Sequence, residues 1–157
     1  HHEVLDGHYG HTVGLTTISE DLPSEKNTVT LDPELTDSDG IPAPKITYTQ
    51  DENNKKMVEH ALERAKEVLT AAGAKRVFGR NLMRESGWHQ LGTARMGNDP
   101  EKSVVNPWGR SHDVKNLFIV DGSIFVTAGA VNPTSTIQAL ALYIGDQIKK
   151  NLSNLFD

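Results

Sequence analysis

The sequence predicts an α+β fold, an antiparallel sheet with packed helices, and three observations point to it. Short alternating stretches separated by turn-forming residues occupy the first third of the chain. An apolar stripe at helical spacing runs over residues 51–72. A second such stripe runs from about Pro133 to Leu152.

Within the first 50 residues, Thr12 to Ile18 alternates as a strand and Leu22-Pro23-Ser24 breaks it. Thr28-Val29-Thr30-Leu31 resumes extended structure, and Asp37-Ser38-Asp39-Gly40 signals a turn, since Asp and Ser close local side-chain turns and Gly tolerates positive φ. Pro42 and Pro44 keep the next stretch extended but away from a sheet centre, and Lys45 to Thr49 alternates as a third strand. Met57, Val58, Ala61, Leu62, Ala65, Val68, Leu69 and Ala72 then form one face of a helix expected to dock on the sheet. Asp51 and Glu52 suit its positive end, and Gly73 its stop. Residues 74–116 are irregular and rich in Gly, Asn, Pro and Arg, a length that compact domains seldom carry without a task. Leu117-Phe118-Ile119-Val120 reads as a buried strand, followed by a small-residue loop, Thr127 to Val131, and the last helix.

The chain has 157 residues and a net charge of −5. Its length fits one domain able to bury roughly two-thirds of its unfolded surface. Its acidic balance argues against nucleic acid as a partner. Apolar residues are only 36%, so part of the surface is expected to lie in loops or against another body. No cysteine is present, which excludes disulfides, Cys-ligated metal and thiol catalysis. No apolar run approaches the roughly 18 residues of a transmembrane segment. Asp6, His8 and His11 form at most an opportunistic metal group, and no metal is expected.

Two arrangements could carry chemistry. His89 stands between Trp88 and Gly92 in the irregular segment, and histidine has the unperturbed pKa nearest neutrality. A lone loop histidine is structural more often than catalytic. The second arrangement is Asp121-Gly122-Ser123 after the apolar run, with Asn132-Pro133-Thr134 opening the last helix. A helix N-terminus offers unpaired N–H groups and partial positive charge to ligand oxygens. Asn132 as N-cap with Pro133 at the first helical position is equally a good helix start without function.

Taken in order, His89-Gln90-Leu91-Gly92-Thr93-Ala94-Arg95-Met96-Gly97, Val104-Val105-Asn106, Asn116 to Ser123 and Asn132-Pro133 to Ala141 resemble the C-terminal part of the glucose–methanol–choline (GMC) family of FAD-dependent oxidoreductases. Upstream, Glu20-Asp21-Leu22-Pro23, Asn27 to Asp32 and Gly40 to Lys45 resemble a branch acting on sugars or sugar acids. Val126 departs from the pattern, since many members have proline there. The resemblance implies His89 as active-site base and Asn132 as its partner, with Trp88, Asp121 and Gly122 near the flavin and the Asn132-Pro133-Thr134 helix start at its pyrimidine edge. Asp121 has an equal alternative as the cap of its turn. Arg95 suits a structural pairing slightly better than a cofactor contact, His60 a helix surface, and His112 a loop contact.

It further implies oxidation of a CH–OH group, on a polyol, sugar or sugar acid, by proton abstraction and hydride transfer to FAD. Residues 1–116 would form part of a substrate-binding domain, and 117–152 a strand and helix returning to the FAD domain. The family's Gly-x-Gly-x-x-Gly fingerprint is not in this chain, and the first residue is His1, so an upstream FAD-binding portion is the expected partner. The alternatives are a non-catalytic binding module, and a lyase of the same fold that holds FAD without redox turnover.

Overall fold

A computed structural model describes residues 2–81 and 89–154. In chain order its elements are α1 (His2–His8), β1 (Thr28–Thr36), β2 (Pro42–Thr47), α2 (Glu52–Ala71) and α3 (Thr134–Lys150), with single 3-10 turns at Gly122–Ile124 and Leu152–Asn154. The mixture of helices with a small antiparallel sheet agrees with the predicted class, but the sheet is a hairpin of β1 and β2. Thr12 to Ile18 is irregular, because its alternation has no neighbouring strand to pair with among the described residues. The first residues form α1, which the sequence reading did not anticipate.

The hairpin pairs Val29 with Ile46 and Leu31 with Pro44, then shifts register before Thr36 pairs with Pro42. The shift sits where the Asp32 carboxylate accepts the N–H groups of Glu34 and Leu35, both at 2.9 Å, which also holds its pKa below the usual value. The reversal is closed by Asp37, whose Oδ1 accepts from Asp39 and Ile41, with Gly40 at φ 79° completing it. Val29, Leu31 and Ile46 remain exposed.

The sequence signals for α2 hold in detail. Asp51 is its N-cap and accepts from Asn54 N–H at 2.6 Å, while Gly73, at φ 89°, follows the C-cap. The expectation that this helix lies across the sheet fails: β1 with β2 is the one extensive element pairing among those described. Leu62 instead meets the backbone at Gly79, so the chain that follows the helix covers part of the stripe, and Val68 stays exposed. His60 is exposed on α2.

The core lies elsewhere. Val105, Ile124 and Ile144 are fully buried, and Met96, Ile119, Phe125, Leu140 and Ile148 pack around them. Ile144 comes from α3, Ile124 from the 3-10 turn at Gly122–Ile124 and Val105 from the irregular segment. Backbone hydrogen bonds hold that segment: Met96 N to Ile124 O at 2.8 Å, Gly97 N to Val105 O at 2.9 Å, His112 N to Val104 O at 3.1 Å and Ile119 N to Gly109 O at 2.8 Å. Arg95 Nε donates to Lys102 O at 2.7 Å, a loop-bracing role. His112 Nε2 sits 3.2 Å from Gly97 O and 3.0 Å from Ser103 Oγ, whose own proton goes to Asp99 O, so the imidazole is the donor to both. The predicted buried strand at 117–120 is reduced to one bridge, Phe118 with Arg110, and Leu117 is 45% exposed. On the neighbouring segment, the next residue, Ser111, bridges to Val105.

The accessible surface is 12,562 Å². A free-standing monomer of 17.2 kDa would expose about 7,800 Å² and its unfolded chain about 25,000 Å². Folding therefore buries about half of the unfolded surface, short of the two-thirds expected from length alone. The excess is partly apolar, with Leu142 at 76% and Val131 at 75% exposure. No helix among the described residues is long and apolar enough to cross a membrane.

Candidate active site

The start of α3 differs from the sequence expectation by one residue. Pro133 (φ −88°, ψ −5°) takes the N-cap position, and no side chain caps the helix. Asn132 thus lies just outside the helix with its carboxamide not engaged in capping. It forms, with Pro133, Thr136, Phe125, Leu91 and Val131, part of the wall of a cavity of about 310 Å³. This is within the usual span for small-molecule sites, about 300–1,000 Å³. The wall is mainly apolar, and the uncapped first turn of α3 leaves N–H groups beside it.

His89 lines a second, smaller cavity of about 80 Å³ with Ile18, Glu20, Asp21 and Ala130. The two cavities adjoin, since Leu91, Ala128 and Val131 belong to both walls. The loop 127–131 between them contains Ala130 at φ 49°, the one non-glycine residue with positive φ among those described. Such strain costs about 1–2 kcal/mol and tends to gather at functional loops. Segment 18–21 is held against this loop from α2. Buried Asn54 donates through Nδ2 to Glu20 O at 2.7 Å and accepts from the Gln50 amide. Thr127 Oγ1 lies 3.5 Å from Glu20 Oε1. Behind Glu20, the Tyr48 hydroxyl faces the Asp21 carboxylate, and its pKa is pushed up to about 12, first by burial and then by that carboxylate.

Of the remaining predicted residues, Asp121, Gly122 and Thr134 are not part of either cavity wall. Asp121 caps the 3-10 turn, its Oδ1 accepting Ser123 N–H at 2.7 Å. The Ser123 side chain and then its N–H hold the Asp121 pKa below its model-compound value of 3.8. A depressed pKa means that the carboxylate stabilises the fold above the ordinary aspartate range and loses that effect as pH falls through it. Asp121→Ala is expected to cost about 1 kcal/mol at neutral pH, with the gap to wild type closing on acidification, as read by chemical denaturation at several pH values. At Gly122 an added Cβ would stand 2.7 Å from Leu91 Cδ2 and 3.1 Å from Ile137 Cδ1, so this glycine is where two wall elements meet. Thr134 opens α3. Trp88 lies outside the described residues. Near the N-terminus, His8 donates through Nδ1 to Val4 O at 2.6 Å, and no group of three or more potential metal ligands occurs among the described residues.

Sequence reading missed the smaller cavity's acidic wall. Glu20 and Asp21 appeared only as part of a motif, and Asn54 gave no signal, being one polar residue in a polar first turn. The loop 127–131 was visible only through its small residues.

Comparison with known proteins places this architecture. A sequence profile of the GMC oxidoreductases matches residues 23–141. The chain is 43% identical to the 2-methyl-1,2-propanediol dehydrogenase of Mycolicibacterium austroafricanum over 100% of its own length and 29% of that protein's. It is 39% identical to the 6'''-hydroxyparomomycin C oxidase of Streptomyces lividus, covering 88% of this chain and 26% of that protein. Pyridoxine 4-oxidase from Mesorbium loti has a similar fold, with a TM-score of 0.57 and 24% identity over 79% of this chain and 27% of that one. The chain thus spans less than a third of the length of the proteins it matches, at their C-terminal part, and it belongs to the GMC oxidoreductases.

Proposed function

We propose that this chain supplies the substrate-facing half of an FAD-dependent oxidoreductase acting on CH–OH groups of polyols or sugars. The observation that carries this reading is the shared wall: His89 and Asn132, distant in sequence, line adjoining cavities separated only by Leu91, Ala128 and Val131. The names of the relatives, one a diol dehydrogenase and one an aminoglycoside oxidase, support the substrate class. Residues 1–116 then belong to the substrate-binding domain and 117–152 to a return into the FAD domain, with the nucleotide-holding portion upstream.

The larger cavity suits a flat aromatic group. It has apolar walls for the ring faces, an amide at Asn132, and an uncapped helix start whose N–H groups and dipole favour negative charge. Asn132, Pro133 and Thr136 would hold FAD there, and the flavin, when bound, accepts hydride.

The side chains do the rest. His89 accepts the hydroxyl proton, because a carbinol carbon gives up hydride far more readily as an alkoxide than as an alcohol. The Asn132 carboxamide donates a hydrogen bond to the substrate oxygen and fixes the carbinol carbon. Leu91 and Val131 supply apolar wall between the two groups.

Full-length protein is expected to purify yellow and to bleach when mixed anaerobically with a polyol. Flavin that stays oxidised under every alcohol tried would overturn the redox reading and favour the lyase alternative. Protein that never binds flavin would favour the binding module.

A further inference from the structure

We infer that the His89 cavity selects substrates with a second hydroxyl beside the carbinol, and that Glu20 is the specificity-determining residue that receives it. The inference rests on the redox reading above and adds to it a residue and a substrate feature.

The acidic wall of this cavity has more acceptors than donors. Glu20 Oε1 has one partner, the Thr127 hydroxyl at 3.5 Å, and that hydroxyl is also 3.5 Å from Ala128 O, so its single proton serves one of the two. Next to it, the Asp21 carboxylate meets the Tyr48 hydroxyl, while its Oδ1 is shut off from solvent without a hydrogen-bond partner. Glu20 and Asp21 line this wall together with Ile18, Leu91 and Val131, so an O–H group entering the cavity meets charged acceptors there. The backbone that presents Glu20 is held in place, since its carbonyl accepts from buried Asn54 at the start of α2. A carboxylate and a proton-accepting imidazole on the wall of one small cavity therefore suit a substrate with two neighbouring hydroxyls. One gives its proton to His89, and the other hydrogen-bonds to Glu20. A substrate lacking the second donor would forgo that hydrogen bond to a charged acceptor, and this loss sets the preference.

The test is anaerobic flavin reduction in full-length protein, comparing 1,2-propanediol with 1-propanol and with 2-methoxy-1-propanol, whose ether oxygen cannot donate. Wild type is expected to prefer the diol over both by roughly 10-fold or more in second-order rate constant. Glu20→Gln, close in shape, should shrink that ratio by a similar factor. The ratio carries the result, whatever happens to either rate alone. A wild-type ratio near one overturns the inference even if the variant does not fold, and so does an unchanged ratio in Glu20→Gln. Absence of reduction by all three alcohols overturns the inference together with the redox reading, whereas reduction without discrimination overturns the inference alone.

Discussion

Replacing His89 by alanine in the full-length protein is expected to slow anaerobic flavin reduction by roughly 100-fold or more while flavin stays bound. The size follows from the chemistry. Without a base, hydride must leave from a neutral alcohol, and the smaller cavity offers no other group suited to take the proton at neutral pH. Glu20 and Asp21 line the same wall, but carboxylates as a class are much weaker bases than imidazole. Flavin retention is expected because His89 lines only the smaller cavity, whereas the larger one is walled by Phe125, Asn132, Pro133 and Thr136. Stopped-flow absorbance with saturating polyol reads the rate, and the absorbance ratio of flavin to protein reads retention. An unchanged rate would remove His89 from the role of base.

The largest stability effect is expected at Gly109. This residue sits at φ +70°, and a Cβ there would stand 2.5 Å from the Ile119 carbonyl oxygen, a backbone atom that cannot step aside alone. That carbonyl belongs to the strip that donates back to Gly109 O at 2.8 Å, close to the buried Val105. Gly109→Ala should therefore combine about 1–2 kcal/mol for the left-handed backbone with about 1–3 kcal/mol for the forced displacement. The expected total is about 2–5 kcal/mol, read as a shift in the urea midpoint at constant slope. Gly73→Ala is the control, because Gly73 has φ +89° but nothing within 4 Å of the added Cβ. Equal losses at the two positions would show that the contact with Ile119 does not matter.

These two residues also mark what the sequence disclosed. Where local chemistry decides the structure, reading worked. Asp51, the apolar stripe and Gly73 placed α2 within a residue or so at each end. Asp37 and Gly40 placed the hairpin turn. Where a partner decides, it did not. Thr12 to Ile18 alternates like a strand yet pairs with nothing described, and the 117–120 run keeps one bridge. Alternation records which faces differ, not which neighbour is present. The centre of the fold was hidden for another reason. The network joining Met96, Val105, Gly109 and Ile124 is built from main-chain groups, which every residue type possesses. The site was legible in its two ends, His89 and the Asn132 helix start, through family resemblance. The acidic wall was not, since Glu20 reaches it only because Asn54, far along the chain, grips its carbonyl.

Leu91, Ala128 and Val131 face both chambers at once. Whatever widens one chamber by trimming these residues also loosens the other, and whatever thickens them crowds both. Reshaping this protein for bulkier alcohols is therefore better begun at Ile18 or Glu20, which border only the smaller chamber. Random exchanges at Leu91, Ala128 and Val131 should trade catalytic range against grip on the prosthetic ring, so that gains in one are accompanied by losses in the other.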